Sequence, residues 1–235
     1  MKKKLLYLIV FFSIISCQED IKFNNPAFEG RKDNVFWRAV DVKATLVNGS
    51  LTIDAYTQNE KLTLITNSIN PGTYILGTTN QANFASYISS TSTINPPTYQ
   101  TIVASGPINK VLISSAGTAY TNGLAIATTG GSGSGLKVNI VVTASGSVIE
   151  VSIASFGMSY TSGDIITVLG GNGDAKLIVQ NVENSNGEIV ITDFDAVKNT
   201  VSGTYKFNAI NVNNDPLVVP NLNFQHGIFY RIPLK

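Results

Sequence analysis

Residues 111–123 read VLISSAGTAYTNG and residues 151–163 read VSIASFGMSYTSG. The two stretches superpose without a gap at a spacing of 40 residues, setting Val111 on Val151, Ile113 on Ile153, Ser115 on Ser155 and Gly117 on Gly157. Tyr120-Thr121-Asn122-Gly123 falls on Tyr160-Thr161-Ser162-Gly163, and Gly130-Gly131-Ser132-Gly133 on Gly170-Gly171-Asn172-Gly173. A period of this length marks a repeated supersecondary unit. Each copy reads as strand, glycine turn, Tyr-Thr-x-Gly turn, short strand, glycine-rich turn, strand. Glycines permit the positive φ that reversals need, and a tyrosine at each turn can cover apolar surface while its hydroxyl finds a partner. A unit of about 35 residues buries too little by itself, so the two copies, over 107–182, are expected to pack together.

The sequence on either side also reads as short alternating runs between turn residues, the signature of an all-β chain. Leu51, Ile53 and Ala55 alternate with Thr52, Asp54 and Tyr56, and Leu62 and Leu64 with Lys61 and Thr63. Asn48-Gly49-Ser50 and Asn59-Glu60 supply hairpin turns between them, and Asn70-Pro71-Gly72 a further one. Residues 89–98 are polar, end in Pro96-Pro97 and read as an exposed loop. Beyond the repeat, Asn184-Ser185-Asn186-Gly187 turns the chain into a strand running to Phe194. Val201, Gly203, Tyr205, Phe207 and Ala209 share one strand face, and Ile228, Tyr230 and Ile232 another. About fifty residues of such strands need partners to form a stable sheet. Pairing them with the strands of the first part makes one antiparallel sandwich or barrel-like domain, residues 28–106 and 183–235, interrupted by the repeat. Ordered structure is expected to begin near Val35.

Composition narrows the function classes. Of 235 residues, 43% are hydrophobic and only 13% charged, enough apolar surface to offset the ordering of the chain. Sixteen basic against 15 acidic residues leave a formal charge of +1, no field for counterion release from nucleic acid. One Cys and one His exclude disulfide frameworks, thiolate or His-rich metal centres and Cys-His catalysis by counting.

The N-terminus carries an address. Lys2-Lys3-Lys4 precede an apolar run from Leu5 to Phe12, continued by Ser13-Ile14-Ile15, too short to span a bilayer. Ile14-Ile15-Ser16-Cys17 resembles a bacterial lipobox, in which a small residue precedes a cysteine that is acylated after cleavage. The reading is therefore a signal peptide over 1–16, lipidation of Cys17 and a tether over 17–27. Cleavage removes three lysines, leaving 13 basic against 15 acidic residues, a formal −2. Each buried acyl CH₂ is worth about 0.8 kcal/mol, and stable anchoring takes more than one chain. Gln18-Glu19-Asp20 resembles the surface-export signals of Bacteroidetes-type lipoproteins, and equally suits a solvated linker. The expected location is the outer membrane, on the cell surface or the periplasmic face.

Two further resemblances follow from quoted motifs. The Gly-x-x-Tyr-Thr-x-Gly repeat resembles glycine-rich modules of phage tail and bacterial surface proteins. Phe28-x-Gly30, Trp37-Arg38-Ala39, Ser202-Gly203-Thr204-Tyr205-x-Phe207-x-Ala209 and Gly227-Ile228-Phe229-Tyr230-x-Ile232-Pro233 resemble small Bacteroidetes-type lipoproteins of unknown function. That second resemblance implies a fold and an address, covers the flanks rather than the repeat, and implies no activity.

Candidate chemistry is sparse. His226 has no Gly-x-Ser-x-Gly elbow to serve and reads as a turn before the last strand. The glycine run 131–135 is followed by neither Lys-Ser nor Lys-Thr, which a phosphate cradle requires. Gly170-Gly171-Asn172-Gly173-Asp174 places its carboxylate one residue early for a calcium repeat, and the other copy supplies none. Asp193 and Asp195 share a strand face about 7 Å apart along the chain, a separation compatible with glycoside hydrolysis. The expectation is a protein without catalytic residues, metal or cofactor, with a structural or interaction role at the cell envelope. Its partners would be the membrane, through its lipid, and an envelope protein or a glycan. The alternatives are a glycan or small-ligand binding module using Tyr120, Tyr160 and Trp37 as stacking surfaces, and a glycan-active hydrolase.

Overall fold

The computed structural model describes residues 27–90, 96–213 and 216–235. The signal peptide, Cys17, nearly all of the tether and the middle of the 89–98 loop lie outside the described residues. The chain is all-β, with antiparallel sheets forming a half-barrel and a nearly closed barrel.

The first part contributes β1 (Ala27–Lys32), β2 (Val35–Arg38), β3 (Asp41–Val47), β4 (Ser50–Tyr56), β5 (Glu60–Thr66), β6 (Gly72–Leu76), β7 (Phe84–Ser89) and β8 (Thr98–Gln100). The first described strand begins at Ala27, ahead of the Val35 that the sequence suggests. Ala27–Lys32 is polar, and only Phe28 and Gly30 are buried there, so alternation is too faint to announce a strand. The β1–β2 turn, Asp33-Asn34, and the β3–β4 turn, Asn48-Gly49, both use two residues with positive φ, the geometry whose twist matches paired strands.

The chain then passes through β9 (Ser105–Gly106) into the repeat: β10 (Ile108–Ser115), β11 (Gly123–Gly130), β12 (Ser134–Val142), β13 (Val148–Met158), β14 (Tyr160–Thr161), β15 (Ile165–Val168) and β16 (Lys176–Val182). It returns as β17 (Asn186–Asp195), β18 (Thr200–Asn211) and β19 (Asn221–Pro233). Strands from both flanks hydrogen-bond in one eleven-stranded sheet, ordered β2-β1-β19-β18-β8-β7-β5-β4-β3 with β17 bridging β18 and β6. The repeat forms a separate six-stranded sheet, β10-β16-β15-β11-β12-β13.

The larger sheet curls around an aromatic core. Leu51, Ile53, Ala55, Leu62 and Leu64 are buried, as their alternation requires. Phe28 stacks on Tyr205 at 5.0 Å, Phe207 lies 5.1 Å from Phe224, and Trp37 meets Phe224 edge-on at 5.7 Å. The motifs carrying the lipoprotein resemblance converge here. Tyr205 lies between Gly30 and Gly227; a Cβ at Gly227 would stand 2.5 Å from its ring.

Two bulges on β19 correct the reading of the last strand. His226 has a φ of 52° and Arg231 of 50°, and register shifts accompany both. An extra residue reverses which face follows it. His226 therefore sits inside β19 rather than in a turn before it. Ile228 is 41% exposed, while Phe229 and Ile232 are the buried pair, so Ile228, Tyr230 and Ile232 do not share a face.

Candidate functional site

Three places bring polar or apolar groups into arrangements that could matter for function: the turns of the repeat, a half-buried carboxylate in the half-barrel, and a cleft where the two sheets meet.

The repeat folds as a pseudo-two-fold pair. Its strand order maps onto itself when the copies are exchanged: β10 with β13, β11 with β15, β12 with β16. Thr128 pairs with Val168, its own repeat equivalent, at the centre. The first strand of each copy hydrogen-bonds to the third strand of the other, β10 to β16 and β13 to β12. The Ser-Gly preceding each first strand is duplicated as well. Gly106 pairs with Tyr160, and Tyr120 donates its N–H to the Gly146 carbonyl at 3.0 Å. The spacing is not constant, however. Val138 faces Ile126 whereas Leu177 faces Ile166, so the third strands match at 39 residues as far as Val179; copy two is one residue shorter in its glycine-rich turn and regains that residue at Gln180.

Tyr120 and Tyr160 are 4% and 1% exposed, which corrects the expectation that they stack on a ligand. The Tyr120 hydroxyl donates to the Val168 carbonyl at 3.0 Å and accepts from the Ala175 N–H at 3.1 Å. Each ring is clamped by glycines of both copies. A Cβ at Gly171 or Gly117 would come within 2.7 Å of Tyr120, and one at Gly133 or Gly157 within 2.7 Å of Tyr160. Carboxylates lock the same turns. Asp174 accepts from the Thr118 N–H and hydroxyl at 2.9 and 2.8 Å, and Asp164 from the Ser132 hydroxyl at 2.6 Å and the Thr161 N–H at 2.9 Å. Burial opposes ionisation of Asp164, but these donors hold its pKa below the ordinary value. Among the described residues no cluster of three His, Cys, Asp or Glu side chains is placed to hold a metal ion.

Trp37, 5% exposed, is also a core residue and not a sugar platform. Its Nε1–H donates to Glu60, which also accepts from Lys32 and from the Tyr87 hydroxyl. Desolvation raises the Glu60 pKa, yet the three donors and the Lys32 charge outweigh it and hold the group below 4.5. Burial, followed by the neighbouring Glu60, pushes the Tyr87 phenol strongly upward. The cluster ties β1 and β2 to β5 and β7 across the mouth of the curled sheet. On the opposite edge the Lys235 N–H donates to the Ala44 carbonyl at 2.9 Å, bringing the chain end back onto β3.

Asp193 and Asp195 lie at the end of β17. Asp195 accepts from the N–H groups of Val197 and Lys198 at 3.0 and 2.9 Å, and its other oxygen pairs with the Lys198 ammonium at 3.1 Å. Those bonds assign this carboxylate to the turn into β18.

The cleft between the sheets has a volume of about 350 Å³. Thr73, Ile75, Thr79, Asn80 and Asn83 line it from the larger sheet, and Leu112, Ser162, Ile178 and Gln180 from the repeat. None of its lining residues is charged. No sequence signal marked it, because its walls come from segments about a hundred residues apart.

The model of a domain of unknown function, DUF6252, matches residues 24–129 and again 114–233. The chain belongs to this family. Each match runs from a flank into the repeat, and the two overlap over 114–129. No curated protein and no solved structure matches the chain. DUF6252 thus supplies kinship without an activity.

Proposed function

We propose that this DUF6252 protein is a lipid-anchored protein of the outer membrane with a non-catalytic interaction role at the cell envelope. In this reading Cys17 carries the lipid and the barrel formed by the repeat is the contact unit. The supporting observation is how the barrel joins the larger sheet. Its two connections run side by side: the Glu183 N–H donates to the Pro107 carbonyl at 2.8 Å, and the Asn184 carboxamide donates to the Ser105 carbonyl at 3.4 Å. A unit held on adjacent strands can be presented without disturbing the sheet that bears it. Leu124, Ile149, Phe156 and Met158 on the barrel are all more than half exposed, apolar area that a partner would remove from water.

The test is a pair of variants in native membranes. Cys17→Ser should move the protein from the membrane to the soluble fraction. Excision of 107–182 should leave it membrane-bound while abolishing its chemical cross-links to neighbouring envelope proteins. Membrane retention of Cys17→Ser would remove the anchor from the account, and an unchanged cross-linking pattern after excision would remove the contact role.

A further inference from the structure

The cleft where the two sheets meet is a site that the contact role does not use. Pseudo-symmetry shows what is particular to it. Strand register sets Val179 of β16 on Ile140 of β12 but Asn181 on Val141 and Val182 on Val142, so Gln180 is an extra residue that the other copy lacks, and Asn181 stands at the junction where that copy carries a valine. Asn181 has a structural task, donating its Nδ2–H to the Leu76 carbonyl across the junction at 3.1 Å. Gln180 has none: its Oε1 is shut from solvent and accepts no hydrogen bond, an arrangement native proteins rarely leave without a reason.

The facing loop is pre-arranged. The Asn80 N–H donates to the Thr78 hydroxyl at 3.1 Å, the Ala82 N–H to Asn80 Oδ1 at 3.2 Å, and the Asn67 N–H to Asn83 Oδ1 at 3.0 Å. These bonds fix both carboxamide oxygens and leave the Nδ2 donors of Asn80 and Asn83 uncommitted. Thr73 and Thr79 add hydroxyls, and Ile75, Leu112 and Ile178 add apolar surface to the same walls.

We propose that this cleft binds a short neutral saccharide. A charged ligand would leave water without a counter-charge to receive it, since none of the lining residues is charged. Hydroxyl and carboxamide groups donate and accept at once, which suits the paired hydroxyls of a sugar ring, and the isoleucines and leucine suit its C–H face. The volume lies within the roughly 300–1,000 Å³ typical of small-ligand sites. A sugar hydroxyl donating to Gln180 Oε1, after a small rotation of that side chain, satisfies the unpaired oxygen. This inference is independent of the contact role: the barrel could meet a partner with the cleft empty, or the cleft fill with no partner present.

Titration of the full-length chain in detergent with maltose, cellobiose, lactose and chitobiose, followed by saturation-transfer NMR, tests it. Glucuronate and glucose 6-phosphate serve as charged counterparts. At least one neutral disaccharide should bind at millimolar concentration or below. Gln180→Leu, and separately Asn80→Ala on the exposed loop, should each weaken it about tenfold, the loss expected for one hydrogen bond in a polar site, with the melting temperature unchanged. If Gln180→Leu fails to fold, Asn80→Ala decides alone. No binding by any of the four disaccharides, binding indifferent to the folded variants, or equal binding of the charged counterparts would overturn the proposal.

Discussion

The larger sheet and the barrel use one device in two ways. Both bury a tyrosine between glycines that come too close to bear a side chain. In the sheet this happens once: Tyr205 lies between Gly30 of β1 and Gly227 of β19, inside a cluster with Phe28, Trp37, Phe207, Phe224 and Phe229. In the barrel it happens twice by exchange, Gly171 closing on Tyr120 of the other copy and Gly133 on Tyr160. Tyr120 and Tyr160 are also the only aromatic residues in the barrel's buried core among the described residues. The sheet therefore concentrates its stability in a unique aromatic centre, whereas the barrel distributes it over two equivalent contacts, neither of which one copy can make alone.

The largest effect that tests this contrast is at the centre of the sheet. Phe224→Ala should destabilise the sheet by about 3–5 kcal/mol, the range for deleting a buried phenylalanine, read as a fall in the chemical-denaturation midpoint. If the barrel is energetically separate, its unfolding should not follow. Next come the paired glycines. Gly171→Ala and Gly133→Ala should each cost about 2 kcal/mol or more through overpacking against Tyr120 and Tyr160, and both should lower the same thermal transition. Two variants acting on different transitions would break the claim that the copies are interlocked.

Glu60 separates the regions by pH. Its folded pKa is held below 4.5, so the stability it contributes is present above the unfolded value and is lost as pH falls through the lower folded one. Acid unfolding below about pH 4.5 should begin in the sheet, and Glu60→Gln should flatten the pH dependence of its midpoint; an unchanged slope would show the cluster to be inert. The smallest effect is a gain. Ala119 and Ser159, equivalent in the repeat, have φ values of 59° and 63°, a conformation that costs side-chain-bearing residues roughly 1 kcal/mol. Ala119→Gly and Ser159→Gly should each stabilise the barrel by about 0.5 kcal/mol, the strain relieved less the entropy added. Unequal gains would mark where the pseudo-symmetry ends.

These contrasts also show what could be read in advance. Alternation in Leu51, Ile53, Ala55, Leu62 and Leu64 needs only side-chain period, so those strands were legible. The repeat was legible from glycine and tyrosine spacing, but not its strand exchange, whose β10–β16 half pairs residues 61 to 74 apart. Face assignments failed after His226 and Arg231 because a bulge leaves no residue-type mark in Gln225-His226 or Tyr230-Arg231. Tyr120, Tyr160 and Trp37 suggested ligand surfaces because residue type alone does not tell a ring that faces water from one packed into a core. The junction cleft was invisible because its walls come from separate segments of the chain, and Ser162-Gly163, the part of the repeat motif among them, reads only as a turn.

The most direct measurement is excision of 107–182, joining Gly106 to Glu183 through a short glycine linker, followed by calorimetry. The account predicts one cooperative unfolding transition retained by the remaining strands, still lowered by Phe224→Ala. A chain that melts without cooperativity would contradict it, because the flanks would then need the barrel to form their sheet.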